Sequence, residues 1–356
     1  MSVKLAFEVT RTGFCLNTQL ELPSQGVTAL FGRSGSGKTT LLRCIAGLER
    51  HKGYLSFRDQ CWQDDQQELF VPTYQRALGY VFQEASLFPH LRVSGNLEYG
   101  FKRVPPPLRH IQPDEVIQLL SLGPLLKRYP DQLSGGQRQR VSLGRAILTS
   151  PELLLMDEPL ASLDAASKEE ILPFLEGLRD ELKIPIIYVS HAIDEVIRLA
   201  DHLVLLQEGK VTAQGPLQAL LTARELPFIR TESASTVLQA EVQRPHAGDE
   251  LTEVCVEGQS LFIARQSVER GRKLRVRIMA RDVALSLSPL EDTSFLNCLT
   301  VQLLDIQPGL IPSQRLVRLQ LGQQILVSRV SSRSATRLNL HSGQMLYALI
   351  KGVALT

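Results

Sequence analysis

The stretch VTALFGRSGSGKTTLLRCIAG, residues 27–47, decides the fold. Its first five residues form an apolar run of strand length, and the residues after Lys38 carry a helical pattern. A glycine-rich loop lies between, so the order is strand, loop, helix. Glycines let the backbone of Gly32, Arg33, Ser34, Gly35, Ser36 and Gly37 curl until successive N–H groups point at phosphate oxygens, and the helix N-terminus adds partial positive charge. Lys38 then reaches the β- and γ-phosphates, the Thr39 hydroxyl can bind Mg²⁺, and Thr40 follows at the helix start. A nucleotide site is expected here.

Further short apolar runs, LGYVF (78–82), LLLM (153–156), IPIIYV (184–189) and HLVLL (202–206), alternate with amphipathic stretches. That is the rhythm of parallel strands covered by helices. One run ends in MDEP, which puts Asp157 at a strand tip where its carboxylate can hold Mg²⁺ directly or through water. Glu158 follows at once. A buried strand tip is a costly place for two acids unless they are used, and Glu158 is the natural general base for in-line attack of water on a γ-phosphate. His191 closes the run IPIIYVSH at the same sheet edge, where open α/β folds bind ligands, and is placed to sense or stabilise the γ-phosphate. The remaining histidines, His51, His90, His110, His202, His246 and His341, have no comparable setting and are assigned no role.

A second glycine-rich loop, LSGGQ at 133–137, has no lysine. It opens LSGGQRQRVSLGRAIL, in which Ser134 reads as a helix cap and Val141, Ile147 and Leu148 as the buried face. The N–H groups of Gly135 and Gly136 and the Ser134 hydroxyl are expected to face outward at a helix N-terminus, with Gln137 beside them, as an anion site. Without a lysine or metal ligand the loop is too weak to hold a nucleotide alone. It makes sense as a lid over a γ-phosphate gripped elsewhere, on a second copy of the chain.

The 356 residues suggest about two domains. With 39 basic and 37 acidic residues, a net charge of +2, bulk attraction to nucleic acid is not expected. Cys15, Cys44, Cys61, Cys255 and Cys298 show no metal-like spacing, which argues against disulfide and zinc-finger readings. The start, MSVKLAFEVTRTGF, alternates charged and apolar residues and has no signal-peptide pattern. No apolar run approaches the roughly 18 residues of a membrane span, so other chains would have to cross any membrane at which the protein works.

After residue 230 the texture becomes strand-like throughout, in LTEVCVEG, KLRVRIMA, VALSLSP, NCLTVQLLDI, RLVRLQL and QILVSRV, with a second break at SPLEDTS (288–294). The expected division is a nucleotide-binding domain over 1–230, a β-rich connecting region over 231–288 and a small β domain over 289–356. KLRVRIMAR (273–281) puts Lys273, Arg275 and Arg277 on one strand face and Leu274, Val276 and Ile278 on the other, a solvated face or an anion patch.

In order, spacing and context, GRSGSGKT, LSGGQ, LLLMDEP, SLD (162–164) and His191 resemble the ATP-binding cassette (ABC) ATPases over residues 1 to about 230. The resemblance implies an α/β P-loop ATPase domain with a helical subdomain, followed by a small all-β domain. It implies ATP and Mg²⁺, the metal held by Thr39, Asp157 and Gln83 of the YVFQEASLFPH loop. It also implies a head-to-tail homodimer with each ATP sandwiched between one chain's phosphate loop and the other's LSGGQ, and Asp164 in the loop at the dimer interface. Phe14 is the candidate for stacking on adenine. FQEASLFPHLRVSGNLEYG, MDEPLASLDAASKEEILPFLEGL and PIIYVSHAIDEVIRLAD are similar to the ATPase subunits of molybdate importers, as are the tail pieces RVRIMARDVALSLSP, EDTSFLNCL and GQMLYALIKGVALT. Such subunits sit peripherally on the cytoplasmic face of the bacterial inner membrane, dock on an integral permease dimer and serve a periplasmic or surface binding protein indirectly.

The tail departs from that pattern. The family's Ser-x-Arg-Asn appears as Ser294-Phe295-Leu296-Asn297, with an apolar side chain in place of the cation, and its Lys-Ser pair as Lys351-Gly352. An oxyanion needs charged or hydroxyl donors to offset its desolvation. Ser294, Asn297 and Lys351 therefore remain as weak oxyanion candidates beside a purely structural role for the tail. Importers of sulfate, iron or polyamines carry similar cassettes and β tails and form the alternative, with a non-transporting molybdate-responsive module beyond them.

Overall fold

Alternation builds the first sheet. Val3, Leu5, Phe7 and Val9 are buried along β1 (Ser2–Arg11), as are Leu16, Leu20 and Leu22 along β2 (Phe14–Pro23), so each strand turns one face to the core. Leu5 pairs with Leu20 and Val3 with Leu22 across the antiparallel hairpin. The chain then runs through β3 (Val27–Phe31), α1 (Lys38–Ala46), β4 (Lys52–Phe57), β5 (Gln60–Asp64) and β6 (Leu69–Phe70). The order β2-β1-β4-β5-β6 closes this antiparallel sheet, which was not foreseen.

This computed structural model describes residues 2–355, apart from 183, 225, 227, 229, 230, 247, 267, 291 and 352. It falls into two compact units, Met1–Pro216 and Leu217–Thr356. A second sheet of the first unit comprises β3, β7 (Leu78–Val81), β8 (Leu153–Asp157), β9 (Ile186–Ser190), β10 (His202–Gln207) and β11 (Lys210–Pro216), in the order β11-β10-β3-β9-β8-β7. From β10 to β7 the neighbours are parallel, and β11 is antiparallel to β10. All five residues of β8 and of β9 are buried, as expected of parallel strands covered on both faces. On one face a single core joins Leu30, Leu155 and Val189 to α1 and to the first sheet.

Arg76 holds the far end of α1. The residue is 4 % exposed, and its guanidinium donates to Cys44 O (3.1 Å), Ile45 O (2.7 Å) and Val71 O (2.8 Å) while lying over the rings of Trp62 and Phe70. A cation there satisfies carbonyls that a helix end leaves unpaired. Burial pulls its pKa down to about 10.

Between β7 and β8 the chain forms α2 (Val93–Phe101), α3 (Pro113–Leu119) and α4 (Gly135–Ile147), a helical arm packed through Val93, Leu97, Val116, Leu120, Leu122, Val141 and Leu143. After β8 come α5 (Ala165–Leu182) and, after β9, α6 (Ile193–Leu199). Among the described residues no helix is long and apolar enough to cross a membrane.

The second unit begins with α7 (Leu217–Leu221), earlier than the expected change near 230, because α7 packs on β12 (Ser235–Arg244). Residue 230 itself lies outside the described residues. β13 (Leu251–Val256), β14 (Gln259–Ala264) and β15 (Lys273–Met279) join β12 in one sheet; β16 (Val283–Ser286), β17 (Asn297–Pro308), β18 (Gln314–Leu321), β19 (Gln324–Ser331) and β20 (Met345–Ile350) form the other. α8 (Ser332–Arg337) follows β19. The expected separation of 231–288 from 289–356 is only partial. The last strand, β21 (Ala354–Leu355), pairs with β15, and one core unites Leu238 and Val276 of the first sheet with Leu299 and Leu346 of the second. Along β15, Val276 and Ile278 are buried and Lys273 is exposed, as the alternation predicted, while Arg277 donates to Ser235 Oγ at 3.2 Å.

Candidate functional site

Four parallel strands end side by side, and each carries a candidate residue just beyond its last residue or at it. β3 runs into the phosphate loop, β8 ends at Asp157, β9 leads to His191 and β7 leads to Gln83. Backbone order alone therefore gathers residues that are far apart in the chain, at the carboxyl edge where open α/β sheets take ligands.

The phosphate loop is built tightly. Gly32 approaches β10 so closely that a methyl group there would lie 2.2 Å from Leu206 O. Gly37 has φ +101°, and a methyl group there would meet the Phe14 ring at 2.9 Å. Only glycine tolerates both demands. Arg33, Ser34 and Gly35 are exposed, Thr39 and Thr40 half-buried, and Ser36 buried. Ser36 Oγ finds no hydrogen-bond partner among the described residues, which suits a loop that meets an acceptor-rich ligand. Phe14 packs half-buried beside the start of α1.

Lys38 is 4 % exposed and folds back so that Nζ donates to Gly32 O (2.9 Å) and Arg33 O (3.0 Å). Burial lowers its pKa, and the carboxylates of Glu158 and Asp157 oppose that shift. Its ammonium is thus a desolvated cation held by neutral carbonyls, 3.8 Å from Glu158 Oε1. A phosphate oxygen is a stronger acceptor for it than a carbonyl.

Asp157 accepts from Thr39 Oγ1 at 2.8 Å and from the Tyr80 hydroxyl at 3.1 Å. Burial raises its pKa, and those two hydrogen bonds pull the other way. Hydroxyl and carboxylate oxygens side by side are the donor set that a hard cation such as Mg²⁺ takes. Gln83 is exposed in the loop after β7, next to β8. Tyr80 was missed in the sequence; only its position near the end of β7 hinted at it. Burial and the neighbouring carboxylate push its phenol pKa up, so the hydroxyl stays a donor.

Glu158 sits at φ +43°, a left-handed conformation uncommon for a residue with a side chain. Its N–H continues the ladder to Val189 O at 3.1 Å, which fixes the turn. Its carboxylate lies between Lys38 and His191, whose Nδ1 is 3.0 Å from Oε2. Carboxylate, cation and imidazole are therefore one cluster.

The LSGGQ loop caps α4 as expected. Gln137 N donates to Ser134 Oγ (3.2 Å) and Ser134 N to Gln137 Oε1 (3.1 Å), a reciprocal cap that contributes about 1 kcal/mol. Ser134 is exposed, and Val141, Ile147 and Leu148 are fully buried. Gly136 is buried against Ser167 and Ile171 of α5, so it has less access to an anion than Ser134 and Gly135. Asp164 caps α5: it accepts from Ser167 N (2.9 Å) and Ser167 Oγ (3.1 Å), and those bonds, the backbone one foremost, lower its pKa.

In the tail the three oxyanion candidates do not form one group of free donors. Asn297 is 5 % exposed, and both ends of its amide clasp Phe262, accepting from its N–H at 2.7 Å and donating to its carbonyl at 2.9 Å. That amide joins two strands, β14 and β17, through the backbone of Phe262. Ser294 is exposed, and Gly352 lies outside the described residues. Lys351 instead lines a hollow of about 500 Å³ with Arg281, Arg329, Arg337, Ser331 and Ser334, and with Asp282.

Residues 15–161 match the ABC transporter family, and residues 293–356 match the TOBE domain. The chain is 52 % identical over 354 residues to the Molybdenum import ATP-binding protein ModC of Hahella chejuensis, covering 99 % of this chain and 98 % of that one. It is equally similar to the protein of the same name from Thiobacillus denitrificans, 52 % over 355 residues with 99 % and 98 % coverage. Among solved structures it resembles the dimeric post-hydrolysis state of the ATP-binding cassette MJ0796 bound to ADP and Pi, with TM-score 0.50 and 25 % identity over 60 % of this chain and 98 % of that one.

Proposed function

The chain belongs to the ABC transporter family of ATP-binding proteins, and from that premise we propose that it is the ATP-hydrolysing subunit of a molybdate importer. Glu158 held between Lys38 and His191 at the strand ends carries the hydrolytic part. Similarity over the whole chain to proteins named for molybdenum import supports the cargo.

In this reading the triphosphate lies along the N–H groups of residues 32–37, and Lys38 leaves the Gly32 and Arg33 carbonyls to bind β- and γ-phosphate oxygens. Thr39, Asp157 and Gln83 would hold Mg²⁺, which would neutralise charge on the phosphates. Phe14 lies under the adenine. Glu158 accepts the proton of the attacking water, and His191 bridges Glu158 and the γ-phosphate. Ser134 and Gly135 of a second copy close the pocket, with Gly136 and Gln137 shaping that loop, and Asp164 lies at the seam between copies. The chain works peripherally on the cytoplasmic face of the membrane, against a permease dimer that receives cargo from a binding protein.

Reconstitution with candidate permeases and their binding proteins tests the cargo. Molybdate, and tungstate as its close analogue, should stimulate ATP turnover, with sulfate, ferric ion and spermidine without effect. Stimulation by one of the latter instead would reassign the importer; association with no permease, joined to binding of specific DNA, would reassign the class.

For the tail, the Lys351 hollow is a better oxyanion seat than Ser294 and Asn297. Arg329, whose side chain is 8 % exposed, is held by Glu232 and the Thr231 carbonyl, while its Nε finds no partner among the described residues. Calorimetry of the full chain should give molybdate binding weakened about tenfold in Lys351→Ala/Arg337→Ala, from loss of charge-assisted bonds. Equal binding by that variant and the parent would move the anion elsewhere.

A further inference from the structure

Behind His191 lies a buried polar cluster that the hydrolytic site does not use. Glu195 of α6 is 6 % exposed. Three donors converge on its carboxylate: Lys168 Nζ from α5 at 2.8 Å, and the hydroxyls of Tyr188 (2.9 Å) and Ser190 (2.7 Å) from β9. Ser190 Oγ also accepts from Ala192 N at 3.0 Å. His191 therefore sits in a turn clasped on both sides by one hydroxyl whose proton is committed to Glu195. At the other end, Lys168 N donates to Asp164 O at 3.0 Å, so Lys168 stands in the first turn of the helix that Asp164 caps. Farther along, Arg198 of α6 pairs with Glu169 (2.8 Å) and Glu176 of α5, so the two helices are tied twice.

An ion pair between half-exposed Lys168 and buried Glu195 adds little net stability of its own. Three convergent donors do fix where the carboxylate lies, and with it every group bonded to it. We infer that Glu195 is a positioning residue that couples the Asp164 loop to His191 within one chain: when a second copy displaces that loop, α5 carries Lys168, and Glu195 passes the shift through Ser190 to the turn that aims His191 at Glu158. This rests on the ATPase reading above, since it assigns the coupling a reaction to control.

The test uses the full chain labelled with ¹³C-histidine, in parallel with ATP turnover. The ring signal of His191, one of seven histidines, is assigned with His191→Asn. In Glu195→Gln and in Lys168→Met that signal should shift while those of distant histidines stay. ATP turnover should fall about tenfold, as for a misaimed group, with KM for ATP changed less than about twofold. In a His191→Ala background, single-turnover rates should then change less than about twofold on adding Glu195→Gln, since a residue that acts through His191 has nothing left to aim. A full tenfold loss in that background, or an unmoved His191 signal in the two variants, overturns the inference. Should Glu195→Gln fold poorly, the half-exposed Lys168 gives the same readouts. A wild-type chain that hydrolyses no ATP would defeat the ATPase reading, while the ring signal still decides the coupling.

Discussion

Glu158→Gln should leave ATP binding intact and cut steady-state turnover about a thousandfold, the scale of losing a general base. Glutamine keeps the shape and can still hydrogen-bond His191, 3.0 Å away, so the φ +43° turn and the neighbouring imidazole stay in place. What disappears is the capacity to accept a proton from water. Lys38, 3.8 Å from the carboxylate, loses an ion-pair partner and turns more fully to phosphate, which favours the nucleotide-bound form. Because ATP then stays, a nucleotide-dependent dimer should accumulate, since a bound ligand favours whichever state holds it more tightly. Phosphate release and size-exclusion light scattering with ATP read both effects. Hydrolysis at the wild-type rate would place the base elsewhere, and Asp157 is a poor substitute, since Thr39 and Tyr80 already occupy it.

The strand tips were legible because their signals are local. A glycine loop between an apolar run and a helical pattern, or two acids after LLLM, can be recognised within a dozen residues, and the parallel sheet then brings the distant pieces together at one edge. What could not be read depended on partners far along the chain. The N-terminal antiparallel sheet needs Val3 opposite Phe57 as well as Leu22, and nothing in residues 2–11 names β4 as a neighbour. Tyr80 matters only because β7 lies against β8. Asn297 looked like a free donor from its motif; the structure commits it to the backbone of Phe262, 35 residues away. The domain border moved for a similar reason: α7 reads as the end of the first domain in sequence, yet it packs on β12. Glu195, in the ordinary helical stretch HAIDEVIRLAD, gave no sign of its three donors.

The shared pocket is the claim on which the LSGGQ reading depends, and mixed dimers decide it. A chain with Ser134→Arg keeps its phosphate loop but presents a bulky cation where the lid should close; a chain with Lys38→Ala has the reverse defect. Ser134 is exposed at a helix cap, so its replacement costs about 1 kcal/mol and should leave the fold intact, which circular dichroism can verify. Among the described residues Lys38 donates to two carbonyls of its own loop and pairs with Glu158 at 3.8 Å, so its loss removes the phosphate contact together with that ion pair. If each site takes one half from each chain, every site in either homodimer carries one broken half and both proteins are inactive alone. In an equimolar mixture half of the dimers are mixed, and each mixed dimer has one intact site and one doubly broken one. Site counting then gives about a quarter of the wild-type turnover, provided that one site can work without the other. Recovery on mixing two inactive chains cannot arise from a pocket built by one chain. Full activity of the Ser134→Arg chain alone would mean that each polypeptide encloses its own nucleotide.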